Sequence, residues 1–373
     1  MPLHPCLAVA AFLLISQLVA SPASAQVQTW RLASKPALTI GDSLEAGGVS
    51  FGRVIGALVL PNGDIVVADE ATNSLRFFGA DGRQRAAAGR TGSGPGEFRT
   101  IRSLHRCSRN EVVAYDPSAL RLSVFTLSGT FSRSLTVQAL SEGGAPPYDV
   151  ACNLKEQFVF VNRSAEPPAG IGPRRPRVAV TLVSEKEPKR VVGDFPASER
   201  YFNGQNDYPR PLGRVTSVAA TLTHVYVSTG DSGTISTYAL SSAQKSFVTL
   251  PADVKKVTGK NVDDFVVAEL DKRGTGDRTA RERMLRAGKF PDVFPTTRRM
   301  LVDTENRVWV ESFPVPNTPS VTWTVVDGSQ RVIATLAVPN TFEVTDFSSR
   351  EVVGITFSAD GIPLVQRFGI VRP

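Results

Sequence analysis

The sequence predicts an all-β fold, a β-propeller with six blades, and three observations lead to it. A phrase of roughly 45 residues recurs along the chain, with its clearest copy at residues 54–89. In that copy four β-rich runs are separated by the turns Pro61-Asn62-Gly63-Asp64 and Ala80-Asp81-Gly82-Arg83. Four short strands joined by such turns are typical of one propeller blade. The second strand of the phrase occurs six times, so we expect six blades.

These second strands are runs of β-branched and aromatic residues. They lie at residues 65–69, 112–116, 158–162, 225–228, 308–311 and 352–356. Apolar runs such as residues 55–60 suit strands that are buried on both faces between neighbouring blades. The alternative is a β-sandwich whose sequence repeats by accident, but β-sandwiches do not repeat the same four-strand sequence pattern along the chain.

The ends of the chain are predicted to close the ring together. The last copy offers only three strands, at residues 342–347, 352–357 and 364–371. Residues 27–40, with a strand-like run at 28–32, precede the first blade. We therefore expect this N-terminal segment to supply the outer strand of the last blade.

The long step between the fourth and fifth copies predicts a helical insertion at about residues 254–295. Asn261 can cap a helix that runs to Arg273 and stops at Gly274. Thr279 and Glu282 form the pattern of a capping box that opens a second helix, ended by Gly288. The insertion could be a lid on a binding face or a structural cap over a blade edge.

Several phrases of the sequence resemble a known family. They are LPNGDIVVAD at residues 60–69, GRTGSGPGEF at 89–98, DTENRVWV at 303–310 and the closing VQRF at 365–368. On these residues the chain resembles NHL-type repeats and, more closely, the bacterial secreted six-bladed β-propeller proteins. The resemblance covers nearly all of residues 26–373 and is weakest at 151–250. It implies the propeller fold; such propellers include binding modules, scaffolds and enzymes.

The N-terminus reads as a cleavable signal peptide, residues 1–25. An apolar stretch at residues 7–19 is too short to span a bilayer, and it leads to the cleavage pattern Ala23-Ser24-Ala25. An uncleaved anchor is the alternative. We expect a secreted or periplasmic protein with the propeller at 26–373 and no membrane span. In an oxidising compartment Cys107 and Cys152, one repeat apart, are expected to form a disulfide rather than remain free thiols.

The net charge of +7 favours anionic partners. The alternative is that the basic residues only form a solvated surface. Nucleic acid is not expected, because the protein is predicted to be exported and carries no RNA-binding motif with spaced aromatics. The expected partners are a protein, a peptide or an anionic small ligand, bound by a monomer.

Catalytic motifs are scarce. The mature chain has only His105 and His224, in different blades, which excludes a three-histidine zinc site. Both are expected to be half-buried structural residues. No G-x-S-x-G elbow is present, and the glycine-rich residues 92–96 lack the Lys-Ser/Thr and the helix of a phosphate-binding loop.

Two sets of charged residues are candidate binding groups. Asp69, Asp116 and Asp231, with Glu70 and Glu311, follow second strands and could hold a calcium ion, or each could stabilise a local turn. Calcium is the only cofactor that the pattern suggests. The second set lies at the starts of first strands and could ring the channel mouth to bind a carboxylate or phosphate: Arg53, Arg99, Arg102, Arg214 and Arg298, with Arg299 as an alternative to the last. Hydrogen bonds to carbonyls between blades are the structural alternative.

Three functions remain open at this point. The first is a secreted binding module that uses its channel-mouth face. The second is a metal-dependent hydrolase or lyase resembling lactonase-type propellers. The third is a structural envelope protein. We expect the first, with no catalytic residue assigned.

Overall fold

The computed structural model describes residues 26–41, 48–141, 146–164, 166–242, 244–271 and 277–373. This part of the chain is all-β, with 47% of residues in strands and 8% in helices. The predicted signal peptide and the predicted helix end at residues 273–274 lie outside the described residues. Within the described residues, none of the helices has the length and apolar character needed to cross a membrane.

The strands fall into successive groups, which we call units. The chain begins with β1 (Gln28–Leu32) and β2 (Leu38–Ile40). Unit 1 consists of β3 (Val54–Val59), β4 (Ile65–Asp69), β5 (Ser74–Phe78) and β6 (Gln84–Ala88). Unit 2 consists of β7 (Ser103–His105), β8 (Glu111–Asp116), β9 (Arg121–Thr126) and β10 (Phe131–Thr136).

Unit 3 follows the short helix α1 (Val137–Ser141) and is interrupted by an extra strand. Its first two strands are β11 (Asp149–Cys152) and β12 (Phe158–Arg163), and after the extra strand β13 (Gly172–Arg174) come β14 (Arg177–Val183) and β15 (Arg190–Pro196). Two further short strands, β16 (Arg200–Phe202) and β17 (Asp207–Pro209), lead to unit 4. That unit consists of β18 (Ser217–Ala220), β19 (His224–Ser228), β20 (Thr234–Ala239) and β21 (Lys245–Thr249).

The last two units follow a pair of helices, α2 (Gly259–Asp271) and α3 (Arg278–Ala287). Unit 5 consists of β22 (Thr297–Val302), β23 (Val308–Ser312), β24 (Ser320–Val326) and β25 (Val332–Pro339). Unit 6 consists of β26 (Glu343–Phe347), β27 (Glu351–Phe357) and β28 (Pro363–Val371).

The units are arranged around a central channel. Within each unit, consecutive strands pair antiparallel. The first strands contact one another in a closed series, β3 to β7, β11, β18, β22, β26 and back to β3. Because every first strand begins on the same side of the ring, we call that side the channel-mouth face. The second strands end on that face too, and so do the connections between units.

Burial explains why the second strands are apolar throughout. In β4 every residue is buried. Val66 and Ala68 pack in a cluster with unit 2, whereas Ile65 and Val67 pack in a cluster with unit 6. Since alternate residues of a strand point to opposite faces, each face of the strand fills a different interface between units.

The N-terminal segment does join the last unit, in a way that the sequence only partly predicts. The fourth strand beside β28 is β2, with Leu38 opposite Arg367 and Ile40 opposite Val365. The predicted run at residues 28–32 is β1, and it instead pairs parallel with β25 and antiparallel with the end of β28. As a result units 5 and 6 belong to one continuous nine-stranded sheet.

Cys107 and Cys152 form a disulfide, as their spacing of one repeat predicts. Their Cα atoms are 5.4 Å apart. Cys107 lies in the turn after β7 and Cys152 ends β11, so the bond joins the inner parts of units 2 and 3.

The helical insertion is present, but both predicted caps are wrong. Helix α2 begins two residues before Asn261, and Thr258 is its cap. The Thr258 hydroxyl accepts a hydrogen bond from the Asn261 N–H, and the Thr258 N–H donates to the Asn261 side chain. At α3 the cap is Asp277, whose carboxylate accepts the N–H groups of Thr279 and Ala280, both at 3.0 Å. Gly288 does end this helix.

A small three-stranded sheet, β13-β16-β17, is present that the sequence analysis did not predict. Each strand has three residues, too few to show an alternating pattern. The sheet is tied to the end of the helical insertion by Arg210, which donates to the carbonyls of Lys289 and Phe290 at 2.5 and 2.9 Å.

Candidate functional site

A cavity of about 340 Å³ occupies the centre of the ring. Its walls come from the first strands of all the units. Its lining includes Leu104, Val150, Val218 and Met300, whose side chains are buried in the cores between units, together with polar and charged residues. The cavity is partly open and has a mixed polar and apolar lining, and its volume lies within the range of about 300–1,000 Å³ that is usual for small-molecule sites.

A buried ion pair lies at the far end of this cavity. Arg106 contacts Asp346 at 2.8 and 3.0 Å, and both side chains are 6% exposed. Asp346 also accepts the N–H of Val59 at 3.0 Å, and Arg106 donates to the Val59 carbonyl at 2.7 Å. Burial raises the pKa of Asp346, and attraction to Arg106 opposes that rise. The pair thus ties together units 1, 2 and 6 away from the channel mouth.

A second pocket of about 300 Å³ lies on the channel-mouth face. We call it the mouth pocket. Ile55, Arg299 and Thr345 line both the mouth pocket and the central cavity, so the two spaces are adjacent. The charged groups that line the mouth pocket are Arg53, Glu70, Arg102, Arg299 and Glu343.

The structure brings only some of the predicted arginines together. Arg53 and Arg102 line the mouth pocket, and so does Arg299, the alternative to Arg298. Arg99 and Arg214 do not. The Arg99 side chain donates to Ser93 at 3.1 Å, and Arg214 pairs with Glu199 and, at 2.9 Å, with Asp231.

Most of these guanidinium groups already have acidic partners. Arg53 contacts Glu70 at 3.0 Å while its side chain remains 71% exposed. Arg298 contacts Glu343 at 3.3 Å. Arg299 contacts the buried Glu311 at 2.8 Å and lies over the ring of Trp323 at 5.5 Å.

Arg102 differs from the other arginines of the mouth pocket. Its side chain is exposed, and among the described residues its guanidinium has no hydrogen bond or ion pair. Its backbone N–H is bound to the Tyr115 carbonyl at 2.9 Å, which fixes the position of the chain there. Arg102 therefore has a fixed backbone position and an exposed guanidinium group that is available to a ligand.

Asp149, the first residue of β11, is a site residue that the sequence analysis missed. It lines the central cavity, and among the described residues its side chain accepts a hydrogen bond only from the N–H of the adjacent Val150, at 2.9 Å. Burial raises the pKa of Asp149 to about 6, and attraction to Arg102 opposes the rise. The sequence did contain one signal for Asp149, which is its position at the start of a first strand. The same criterion was used to select the candidate arginines.

The carboxylates proposed as calcium ligands have local partners. Asp69 accepts the N–H groups of Gly52, Arg53 and Ala71, and Asp116 accepts those of Arg99 and Ala119.

Asp231, the third of these carboxylates, pairs with Arg175 at 2.5 Å and with Arg214. Within the described ranges, no three His, Cys, Asp or Glu side chains are grouped so that they could hold a metal ion.

The two histidines occupy different environments. His224, in unit 4, contacts the side chain of Gln330 in unit 5 at 2.8 Å and that of Thr223 at 2.9 Å. His105 lines the central cavity, with Nε2 at 2.7 Å from the Ser103 hydroxyl. Burial lowers the pKa of His105 to about 4, so this imidazole is neutral at physiological pH.

Comparison with known proteins supports the fold. No protein-family model matches the chain, and no curated protein matches it in sequence. A solved structure of a DUF4221 family member from Bacteroides vulgatus is 10% identical, with a TM-score of 0.51 over 93% of this chain and 100% of that chain. At this identity the likeness establishes a shared fold alone. The chain is a β-propeller.

Two further solved structures show weaker likeness. A putative exported protein from Bacteroides fragilis is 13% identical, with a TM-score of 0.46 over 92% of this chain and 99% of that chain. A streptogramin B lyase is 9% identical, with a TM-score of 0.41 over 87% of this chain and 95% of that chain.

Proposed function

We propose that the chain is an exported, six-bladed β-propeller of the NHL-like kind that acts as a binding module. The ligand is anionic, or carries an anionic group, and it binds at the channel-mouth face. The closed series of six first strands and the resemblance of the repeat phrase support the blade number. The apolar residues 7–19, the pattern Ala23-Ser24-Ala25 and the disulfide support export.

One observation carries the binding role. The mouth pocket collects the guanidinium groups of Arg53, Arg102 and Arg299 around one concave space, which Glu70 and Glu343 also line. Arg53 and Arg299 already have acidic partners, whereas Arg102 has none within the described part of the chain. Guanidinium groups bind carboxylates and phosphates through paired hydrogen bonds, and they do so more strongly where water is partly excluded. The pocket is thus suited to an anionic group.

The test uses a double variant that spares the core. Arg299 is left unchanged because its removal would deprive the buried Glu311 of its closest cation. In Arg53→Ala/Arg102→Ala the mouth pocket loses two charges. The matched control is Arg83→Ala/Arg109→Ala, which removes two exposed arginines that have no ion pair among the described residues.

The probes are acetate, citrate and inorganic phosphate, and the readout is the Tm at constant ionic strength. At least one anion should raise the Tm of the wild type and of the control but not that of the double variant, because only the native state binds it. Equal responses of both double variants, or no response of the wild type to any anion, would rule the proposal out. Metal analysis of the purified protein separates it from the calcium-dependent hydrolase or lyase, which requires stoichiometric calcium.

A further inference from the structure

Among the described residues, one acidic side chain in the lining of the central cavity lacks an ion-pair partner. The other acidic and basic side chains of the lining are held in ion pairs, Arg106 with Asp346, Arg299 with Glu311 and Asp303 with Arg307. Asp149 has no ion pair in the described part of the chain, and its carboxylate accepts only the N–H of Val150, at 2.9 Å. The cavity therefore carries one unbalanced negative charge, on Asp149.

We infer that the central cavity binds a small organic cation, a primary amine in its ammonium form, whose positive charge pairs with Asp149. This site goes beyond the proposed anion-binding function, which uses the mouth pocket. A carboxylate that is partly removed from water attracts a cation more strongly than a carboxylate on the open surface does. An ammonium group supplies Asp149 with both an opposite charge and hydrogen-bond donors.

The lining also offers hydrogen-bond acceptors for an ammonium group. Ser217 lines the cavity and is 7% exposed, and its hydroxyl has no hydrogen-bond partner among the described residues. Ser103 and His105 line the cavity as well, and they contact each other at 2.7 Å. Because an ammonium group has three N–H donors, it can use hydroxyl acceptors in addition to the carboxylate.

Two other kinds of cation fit the cavity less well. Quaternary ammonium groups are bound by aromatic rings, and no phenylalanine, tyrosine or tryptophan is among the described residues that line the cavity. A calcium ion needs six to eight oxygen ligands, whereas Asp149 is the one carboxylate of the described lining that is not already in an ion pair. The volume of about 340 Å³ limits the amine to a small molecule.

Calorimetric titration with matched charged and neutral compounds tests the inference. The probes are methylamine, n-butylamine and benzylamine, each compared with the alcohol of the same carbon skeleton, and tetramethylammonium as the quaternary cation. At pH 7.5 the wild type should bind at least one amine at least tenfold more tightly than its alcohol and than tetramethylammonium. If every amine binds no better than its alcohol or than tetramethylammonium, or if no amine binds, the inference is wrong.

A near-isosteric variant assigns the contact. Asp149→Asn removes the charge and keeps the shape of the side chain, and it should weaken binding of the amine at least tenfold. The matched control Asp360→Asn, at an exposed position, should bind the amine as the wild type does. An Asp149→Asn variant with wild-type affinity would overturn the assignment.

Proton release on binding gives a readout that needs no variant. Because Asp149 has a pKa of about 6, about half of its carboxyl groups hold a proton at pH 6, and an ammonium group must displace that proton. Calorimetry in buffers of different ionisation enthalpy should show release of about half a proton per amine at pH 6 and almost none at pH 7.5. The affinity should fall about tenfold from pH 7.5 to pH 5. Binding without proton release at pH 6 would contradict the contact.

The other titratable groups near Asp149 do not produce this pattern. His105 has a pKa of about 4 and Tyr115 a pKa of about 12, so both are largely neutral from pH 5 to pH 7.5. Asp346, whose pKa is also raised by burial, is paired with Arg106, and any proton that it releases would be released in Asp149→Asn as well. The remaining charged neighbours are paired or keep their charge throughout: Arg102, Arg106, Arg299 and Asp303.

The outcomes separate this site from the anion site of the mouth pocket. Arg53→Ala/Arg102→Ala should lose the response to anions and still bind the amine, because neither arginine lines the central cavity. If anions bind and no amine does, the proposed function stands and this inference fails. If an amine binds in an Asp149-dependent manner and no anion does, the inference stands and the proposed function fails.

Discussion

Replacing Asp149 with Asn should stabilise the protein at neutral pH and leave its stability in acid nearly unchanged. The pKa of Asp149 rises from 3.8 to about 6 on folding because the carboxylate is buried with little to compensate for lost water. A shift of roughly two units corresponds to about 3 kcal/mol. This is an upper value for the substitution, because the amide of Asn is also buried at some cost.

The sign follows from proton binding. Between about pH 4 and pH 6 the folded state holds a proton on Asp149 that the unfolded state has lost, so stability falls as the pH rises through this window. Below it the carboxyl is neutral in both states, and the cost of burying the charge is absent. Asn does not titrate, so the variant lacks this fall.

Urea unfolding followed by tryptophan fluorescence measures the effect, since Trp30, Trp309 and Trp323 are all buried. The free energy of unfolding of the variant minus that of the wild type should be near zero at pH 4 and rise to about 2–3 kcal/mol at pH 7.5. A difference that is the same at every pH would refute the reasoning. In an Arg102→Gln background the rise should be centred at higher pH, because attraction to Arg102 lowers the pKa of Asp149.

Three further predictions concern the framework of the ring. Intact mass measured under non-reducing conditions, before and after alkylation, should show no free thiol in the exported protein, and two alkylated thiols would contradict the disulfide. The double variant Cys107→Ser/Cys152→Ser should lower the free energy of unfolding by up to about 4 kcal/mol. Removal of residues 26–40 takes away β1 and β2 and should lower the Tm and promote aggregation, whereas an unchanged Tm would mean that β28 closes the ring without them. Arg106→Ala leaves Asp346 charged and buried without its partner, so urea unfolding should show a loss of about 3–5 kcal/mol, and a loss below 1 kcal/mol would contradict the role of this pair.

The sequence repeat allowed the fold to be predicted. The turn glycines Gly63 and Gly82 have φ angles of 84° and 80°, a conformation that favours glycine, and such turns delimit strands in the sequence itself. The helix caps were harder to predict. Thr258 and Asp277 lie within three residues of Asn261 and Thr279, so several residues of capping type compete, and the geometry of the preceding chain decides between them.

The site was harder to predict from the sequence than the fold, because the site depends on the directions of side chains and on partners that are distant in sequence. Arg298 and Arg299 are adjacent in β22, where the pairing with β23 is irregular, and both contact Glu311 and Glu343. Only Arg299 lines the mouth pocket, and the sequence gives no way to choose between the two. Arg214 has the same place relative to its strand as the other candidates, but Glu199, in an irregular connection, pairs with it. The importance of Asp149 arises from its unneutralised burial, which no local pattern records.

The pairing of β2 with β28 also orders events during synthesis. β2 is near the start of the chain and β28 near its end, so the first of these strands to be made must remain unpaired until the last is available. Until then units 1 and 5 flank a gap, and the backbone groups along both sides of it are open to other chains. The interval between the appearance of β2 and that of β28 is therefore the period in which a nascent chain is most exposed to misassembly, and a chaperone that covers a free strand edge would act on this protein during that interval.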